Sequence, residues 1–190
     1  MRHPLTAALV AALALLASTR AEAQPEPGAA PAVLRVLPGV GIGPYRLDLG
    51  VEELVARIGR QGAERAEVDM EQATRGCTLR ASGRVERFTW RREGLWLTAD
   101  AKTRAVRVLA AFGLGGPFVT DRGVRLGHPL ERAEALYGPG AQRVECQLER
   151  GLRARILRYR EFGIQFTALY GPTPAHGRVF EVGVFRPGTF

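Results

Sequence analysis

The chain has 190 residues, a net charge of +8 and 46 % hydrophobic residues, enough for one ordinary core or two small ones packed together. Only Lys102 is a lysine, and the arginines lie interleaved with glutamates. That is the pattern of a solvated surface and not of a nucleic-acid-binding block. Two cysteines with three scattered histidines leave no zinc pattern, so neither a metal nor a cofactor is expected.

Residues 1–23 predict an export signal. Arg2 and His3 open it, Leu5 to Ala17 is an apolar run short for a bilayer span, and Ala21-Glu22-Ala23 offers a small-x-small cleavage site. Cleavage after Ala23 would give a periplasmic or secreted chain starting at Gln24; a retained anchor is the alternative. No later apolar run approaches the length of a transmembrane segment. Residues 24–38 predict a Pro/Ala-rich extended lead-in with a short strand at Leu34–Leu37. Gly39 to Pro44 lacks the spacing of either nucleotide fingerprint and reads as a turn.

Gly50 to Gly59 predicts a short helix. Val51, Leu54, Val55 and Ile58 make one apolar stripe, Glu52 and Glu53 sit in the first turn, and Gly59 suits the C-terminal cap. Residues 60–76 are polar and acidic, and a second short helix and a loop both remain open. Strands are then expected at Cys77–Ala81, Arg87–Trp90, Leu95–Ala99 and Ala105–Phe112, with turns at Ser82-Gly83, Arg91–Gly94 and Asp100–Thr103. Gly113 to Pro117 is a glycine-rich linker.

Beyond the linker the chain repeats its plan. Arg91-Arg92-Glu93-Gly94-Leu95-Trp96-Leu97-Thr98-Ala99 returns as Arg160-Glu161-Phe162-Gly163-Ile164-Gln165-Phe166-Thr167-Ala168. Gly94 maps onto Gly163, and the same shift of 69 maps Trp90 onto Tyr159 and Cys77 onto Cys146. A helix at Pro129–Tyr137 matches the first at a shift of 79. Strands are expected at Val144–Leu148, Ala154–Tyr159, Ile164–Leu169 and Val179–Phe185, with a longer hairpin tip over Gly171–Gly177. The predicted fold is α+β with two tandem repeats, 39–112 and 118–190, joined by 113–117. Each repeat is a short helix packed on an antiparallel meander of three to four strands.

In an oxidising compartment Cys77 and Cys146 invite pairing, and a bridge would join equivalent strands of the two copies. Two buried free thiols are the alternative. Alternation places Phe88, Trp90, Leu95, Leu97, Val106 and Val108 under the first helix, with Leu157, Tyr159, Ile164, Phe166, Phe180 and Val182 as their counterparts. The opposite side then carries Thr89, Arg91, Trp96, Thr98, Arg107 and Leu109, matched by Arg158, Arg160, Gln165, Thr167, Glu181 and Phe185. One Trp among several Arg and small hydroxyls has the composition of a recognition surface. An ordinary solvated sheet, or a face used to pack the copies together, would read the same way. Arg91, Trp96, Thr98, Arg107, Arg160, Gln165 and His176 of the hairpin tip are the candidate partner-binding residues. No nucleophile elbow, His-Glu-x-x-His or paired His/Asp pattern is present, so no catalytic residue is expected.

An arginine-leucine opening and a glycine-ended helix (Arg125-Leu126-Gly127 … Leu136-Tyr137-Gly138), followed by a meander and written twice in an exported chain, resembles a known pattern. It is similar to the fold of β-lactamase inhibitor proteins and of small outer-membrane assembly lipoproteins. The resemblance implies a non-enzymatic module that grips a protein of the bacterial cell envelope with its sheet face. There is no lipid-attachment Cys, and one cysteine per copy departs from bridges within each copy. The other expectation is a small-ligand carrier or enzyme with its pocket between the copies.

Overall fold

The computed structural model describes residues 32–189. The expected export signal, 1–23, and residues 24–31 of the expected lead-in lie outside them. The chain is built mostly of strands. Strands β1 (Leu34–Leu37), β2 (Gly41–Ile42) and β3 (Tyr45–Arg46) lead into helix α1 (Val51–Ile58), then β4 (Ala63–Asp69) and the one-turn α2 (Met70–Ala73). Next come β5 (Arg84–Trp90), β6 (Leu95–Asp100), β7 (Val106–Phe112), β8 (Phe118–Thr120) and helix α3 (Leu130–Tyr137). Strands β9 (Gln142–Gln147), β10 (Arg153–Tyr159), β11 (Ile164–Tyr170) and β12 (Val179–Val184) complete the fold.

The expected class, a helix on each of two small meanders, is not what forms. Eight strands make one antiparallel sheet in the order β4-β5-β6-β7-β12-β11-β10-β9. The join is β7 to β12, with Leu109 opposite Val184 and Ala111 opposite Val182. Two separate meanders would each leave a hydrophobic strand with unpaired backbone groups at its edge. Pairing those edges satisfies both. A second, mixed sheet, β3-β2-β1-β8, contains a parallel pair, β1 with β8. Its two-residue strands carry too little alternation to be read from sequence.

One core results. Leu54 of α1 and Tyr137 of α3 pack with Phe88, Trp90 and Leu97 and with Leu157, Tyr159 and Phe166. Val36, Ile42 and Phe118 of the second sheet fill the same core. An eight-residue helix presents barely two turns of apolar stripe, so neither helix alone could cover a meander. Trp90 fixes the end of α1 by donating from Nε1 to Gly59 O at 2.7 Å, and Tyr159 OH donates to Gly138 O, just past α3, at 2.9 Å. These aromatic residues stand 69 apart and mark the ends of strands β5 and β10.

Three local expectations change. The stretch 60–76 holds β4 and α2, with Asp69 capping α2 by accepting from the Glu71 and Gln72 amides. Cys77–Ala81 is not a strand of the sheet. Only Cys77 forms a bridge, to Cys146, where Thr78 N donates to Glu145 O and Gln147 N to Gly76 O. The 70–83 excursion therefore leaves beside β4, at one end of the sheet, and pairs with the outer edge of β9 at the other. Finally, register shifts at Thr98/Ala99 and at Thr167/Ala168 reset the alternation of β7 and β12. Leu109 consequently enters the core and Val108 leaves it, while Val179 takes the core position expected for Phe180.

Candidate functional site

The sheet face away from the helices has its own small cluster: Trp96, Val108, Ala110 and Phe185, with Phe112 packed against them. Neither α1, α3 nor the second sheet contributes to it. Toward β9 and β10 the same face carries Val144, Cys146 and Ala154, and there Cys77 of the 70–83 excursion packs onto it. The face expected to lie open is thus strapped on one side by the Cys77–Cys146 disulfide, which joins residues 69 apart.

At the centre stands Glu181. Trp96 Nε1–H donates to its Oε2 at 2.8 Å and Thr167 Oγ1–H to its Oε1 at 3.0 Å. Burial pushes this carboxyl above the ordinary glutamate value, opposed by those hydrogen bonds and by the Arg87 charge. Arg87, exposed on β5, lays its guanidinium over the Trp96 ring at 4.9 Å. Gln165 is buried at the next position and accepts from Arg158 Nε at 3.1 Å. β12 is narrow here because Gly183 lets Gln165 and Val108 close over it: a Cβ at Gly183 would meet both at 3.2 Å.

The seven candidate residues do not form one patch. Trp96, Thr98 and Gln165 belong to the central rows, and Trp96 is only 9 % exposed, where the sequence had suggested an exposed anchor. Arg87 roofs it and Glu181 takes its N–H. Arg91 and His176 lie toward one end of the sheet, where Phe112 N bonds to Gly94 O and Gly113 N to Phe180 O. Arg91 is held in a two-point ion pair with Glu64, at 2.7 and 3.0 Å, which lowers the glutamate's pKa and raises the arginine's. His176 is exposed, touches Gly171 through Nδ1 and meets the Tyr170 ring edge-on at 5.4 Å. Arg107 occupies the bulge in β7 and pairs with Asp100, whose carboxyl is held far below the usual range by the Thr103 amide first and by Arg107 second. Arg160 lies in the β10–β11 turn, beside a separate cavity.

Sequence reading missed Arg87 as the partner of Trp96 and Glu181 as the acceptor of its N–H. The available signal was Glu181 itself, a lone carboxylate inside the apolar run Val179-Phe180-Glu181-Val182-Gly183-Val184. Half-buried Phe112 and Phe180 lie 6.4 Å apart at the β7–β12 seam and extend the aromatic strip. Among the described residues no group of three or more His, Cys, Asp or Glu side chains could hold a metal, and no helix is long and apolar enough to cross a membrane. Comparison with protein-family models, with characterised proteins and with solved structures finds no match.

Proposed function

We propose that the chain is a non-enzymatic, exported module of the bacterial cell envelope that takes a protein partner on the β5–β6–β7–β12 part of the sheet face. The observation that carries this reading is Arg87 stacked on Trp96 beside the half-buried Phe112–Phe180 pair. Rigid aromatic residues flanked by arginine are the composition in which binding energy concentrates. The leader-like residues 1–23 and the disulfide support an oxidising compartment outside the cytoplasm. Around the strip Arg87 is an exposed cation, while the lone carboxylate Glu181 is desolvated, so an acidic partner surface is the complementary one.

The test is capture from an envelope extract with wild-type, Arg87→Glu and Phe112→Ser proteins as parallel baits, each checked for an unchanged melting temperature. A partner held by wild type and lost by both variants supports the reading. Identical capture by all three sinks it.

A further inference from the structure

Eight large hydrophobic side chains are exposed among the described residues, and four of them belong to neighbouring turns and a helix end on one side of the molecule. Leu37 and Val40 bound a turn closed by Val40 N donating to Leu37 O at 3.1 Å. Phe162 sits in the β10–β11 turn, closed by Gly163 N donating to Tyr159 O at 3.0 Å. The two turns are joined where Gly39 N donates to Gly163 O at 3.1 Å, and a Cβ at Gly39 would lie 3.3 Å from Phe162 O. Leu136 ends α3 beside Tyr137, whose ring is 6.2 Å from that of Phe162. All four are 36 to 41 % exposed. Single exposed apolar residues are ordinary on a protein surface, but a gathering of half of them marks an interaction site.

The same ground carries cations. Arg122 lies over the Tyr137 and Phe162 rings at 4.7 and 4.8 Å and donates to Leu136 O at 3.0 Å. Arg160 is exposed in the β10–β11 turn. Arg186 donates to Leu47 O at 2.7 Å and precedes Pro187, whose ring a Cβ at Gly39 would meet at 3.2 Å. None of these three guanidinia enters an ion pair among the described residues. Of the carboxylates in the same region, Asp48 is paired with Arg46, Asp121 holds the Tyr137 hydroxyl, and Glu161 is exposed in the turn.

We infer that this patch docks on an anionic phospholipid surface, with Leu37, Val40 and Phe162 entering the acyl boundary and Arg122, Arg160 and Arg186 meeting lipid phosphates. Shallow docking of this kind draws on the apolar area buried and on the attraction of each arginine to a negative leaflet. A protein partner would have to place a carboxylate at each guanidinium, whereas a bilayer presents phosphate over its whole surface. The docking does not depend on the sheet-face site.

The experiment is co-sedimentation of the chain, as purified from an expressing bacterium, with vesicles of phosphatidylcholine alone or with about 30 % phosphatidylglycerol. Binding to the anionic vesicles should be at least about tenfold tighter and should fall as salt is raised from about 50 to 500 mM. Neither readout needs a variant. Arg160→Glu should weaken anionic binding by about tenfold, and so should Leu37→Ser/Val40→Ser, at exposed positions of a turn. Arg87→Glu makes the same change of net charge on β5, with four strands between it and β10, and should weaken binding by no more than about twofold. No sedimentation at about 1 mM anionic lipid, equal binding to both vesicles, or equal losses from Arg87→Glu and Arg160→Glu would overturn the inference. So would a dimer in sedimentation velocity that Leu37→Ser/Val40→Ser dissolves, because the patch would then face a second copy.

Discussion

Removing the Cys77–Cys146 disulfide tests how the 70–83 excursion is held. The bridge spans 69 residues. In the chain-entropy treatment a loop of that size restricts the unfolded chain by about 4 kcal/mol at 25 °C. The folded state should change little in Cys77→Ala/Cys146→Ala, because the Thr78–Glu145 and Gln147–Gly76 backbone bonds remain, at 2.7 and 2.8 Å. Guanidinium denaturation with intrinsic fluorescence gives the free energy directly. For a chain of this size a slope of about 4 kcal/mol/M turns the loss into a midpoint shift of about 1 M. The slope itself should rise, since the uncrosslinked unfolded chain is more expanded. A loss under about 1 kcal/mol at unchanged slope would refute the loop-entropy argument and mean that contacts around Cys77 hold the excursion by themselves.

Three further outcomes follow from the same geometry. Gly163→Ala should destabilise more than Gly94→Ala in urea melts: both have positive φ, but a Cβ at Gly163 would meet Phe185 O at 2.2 Å and Gly39 Cα at 2.8 Å, against Phe112 O at 2.9 Å for Gly94. Equal losses would mean that the 39–41 turn gives way without penalty. Trp96→Phe removes the donor to Glu181 Oε2 and should lower stability by roughly 1–3 kcal/mol; a loss below about 0.5 kcal/mol would show that the carboxylate finds another donor. Glu181 has its pKa raised in the fold, so its contribution to stability is complete below the unfolded value near 4.5 and fades as pH rises through the folded value. Wild type should therefore lose stability relative to Glu181→Gln across that window, and parallel stability curves for the two proteins would contradict the assignment.

The helices and most strands were legible because their periodicity is strong. Val51, Leu54, Val55 and Ile58 mark α1 directly, and Phe88 and Trp90 alternate cleanly along β5. The cysteine pairing was legible from the matched positions of Cys77 and Cys146 in the repeated sequence. What escaped was set by pairing across distance. Nothing local in Leu109 or Val184 announces that β7 and β12 will share an edge, and the second sheet is assembled from strands of two to four residues. The bulges exchange Val108 with Leu109 and Phe180 with Val179, and alternation alone cannot locate an inserted residue. At the candidate site the sequence named the face of Trp96 but not its exposure, which depends on Arg87 lying over the ring.

The sheet's two outermost strands are protected by different means. β4, Ala63 to Asp69, is mostly charged and exposed, a poor template for another chain. β9 carries fewer charges, and its outer edge at Glu145 and Gln147 is occupied by residues 76–78. Before the thiols are oxidised that occupancy rests on a few hydrogen bonds, so nascent molecules could stack strand to strand along β9. Formation of the Cys77–Cys146 bridge would then decide whether the product stays monodisperse as well as how firmly it folds.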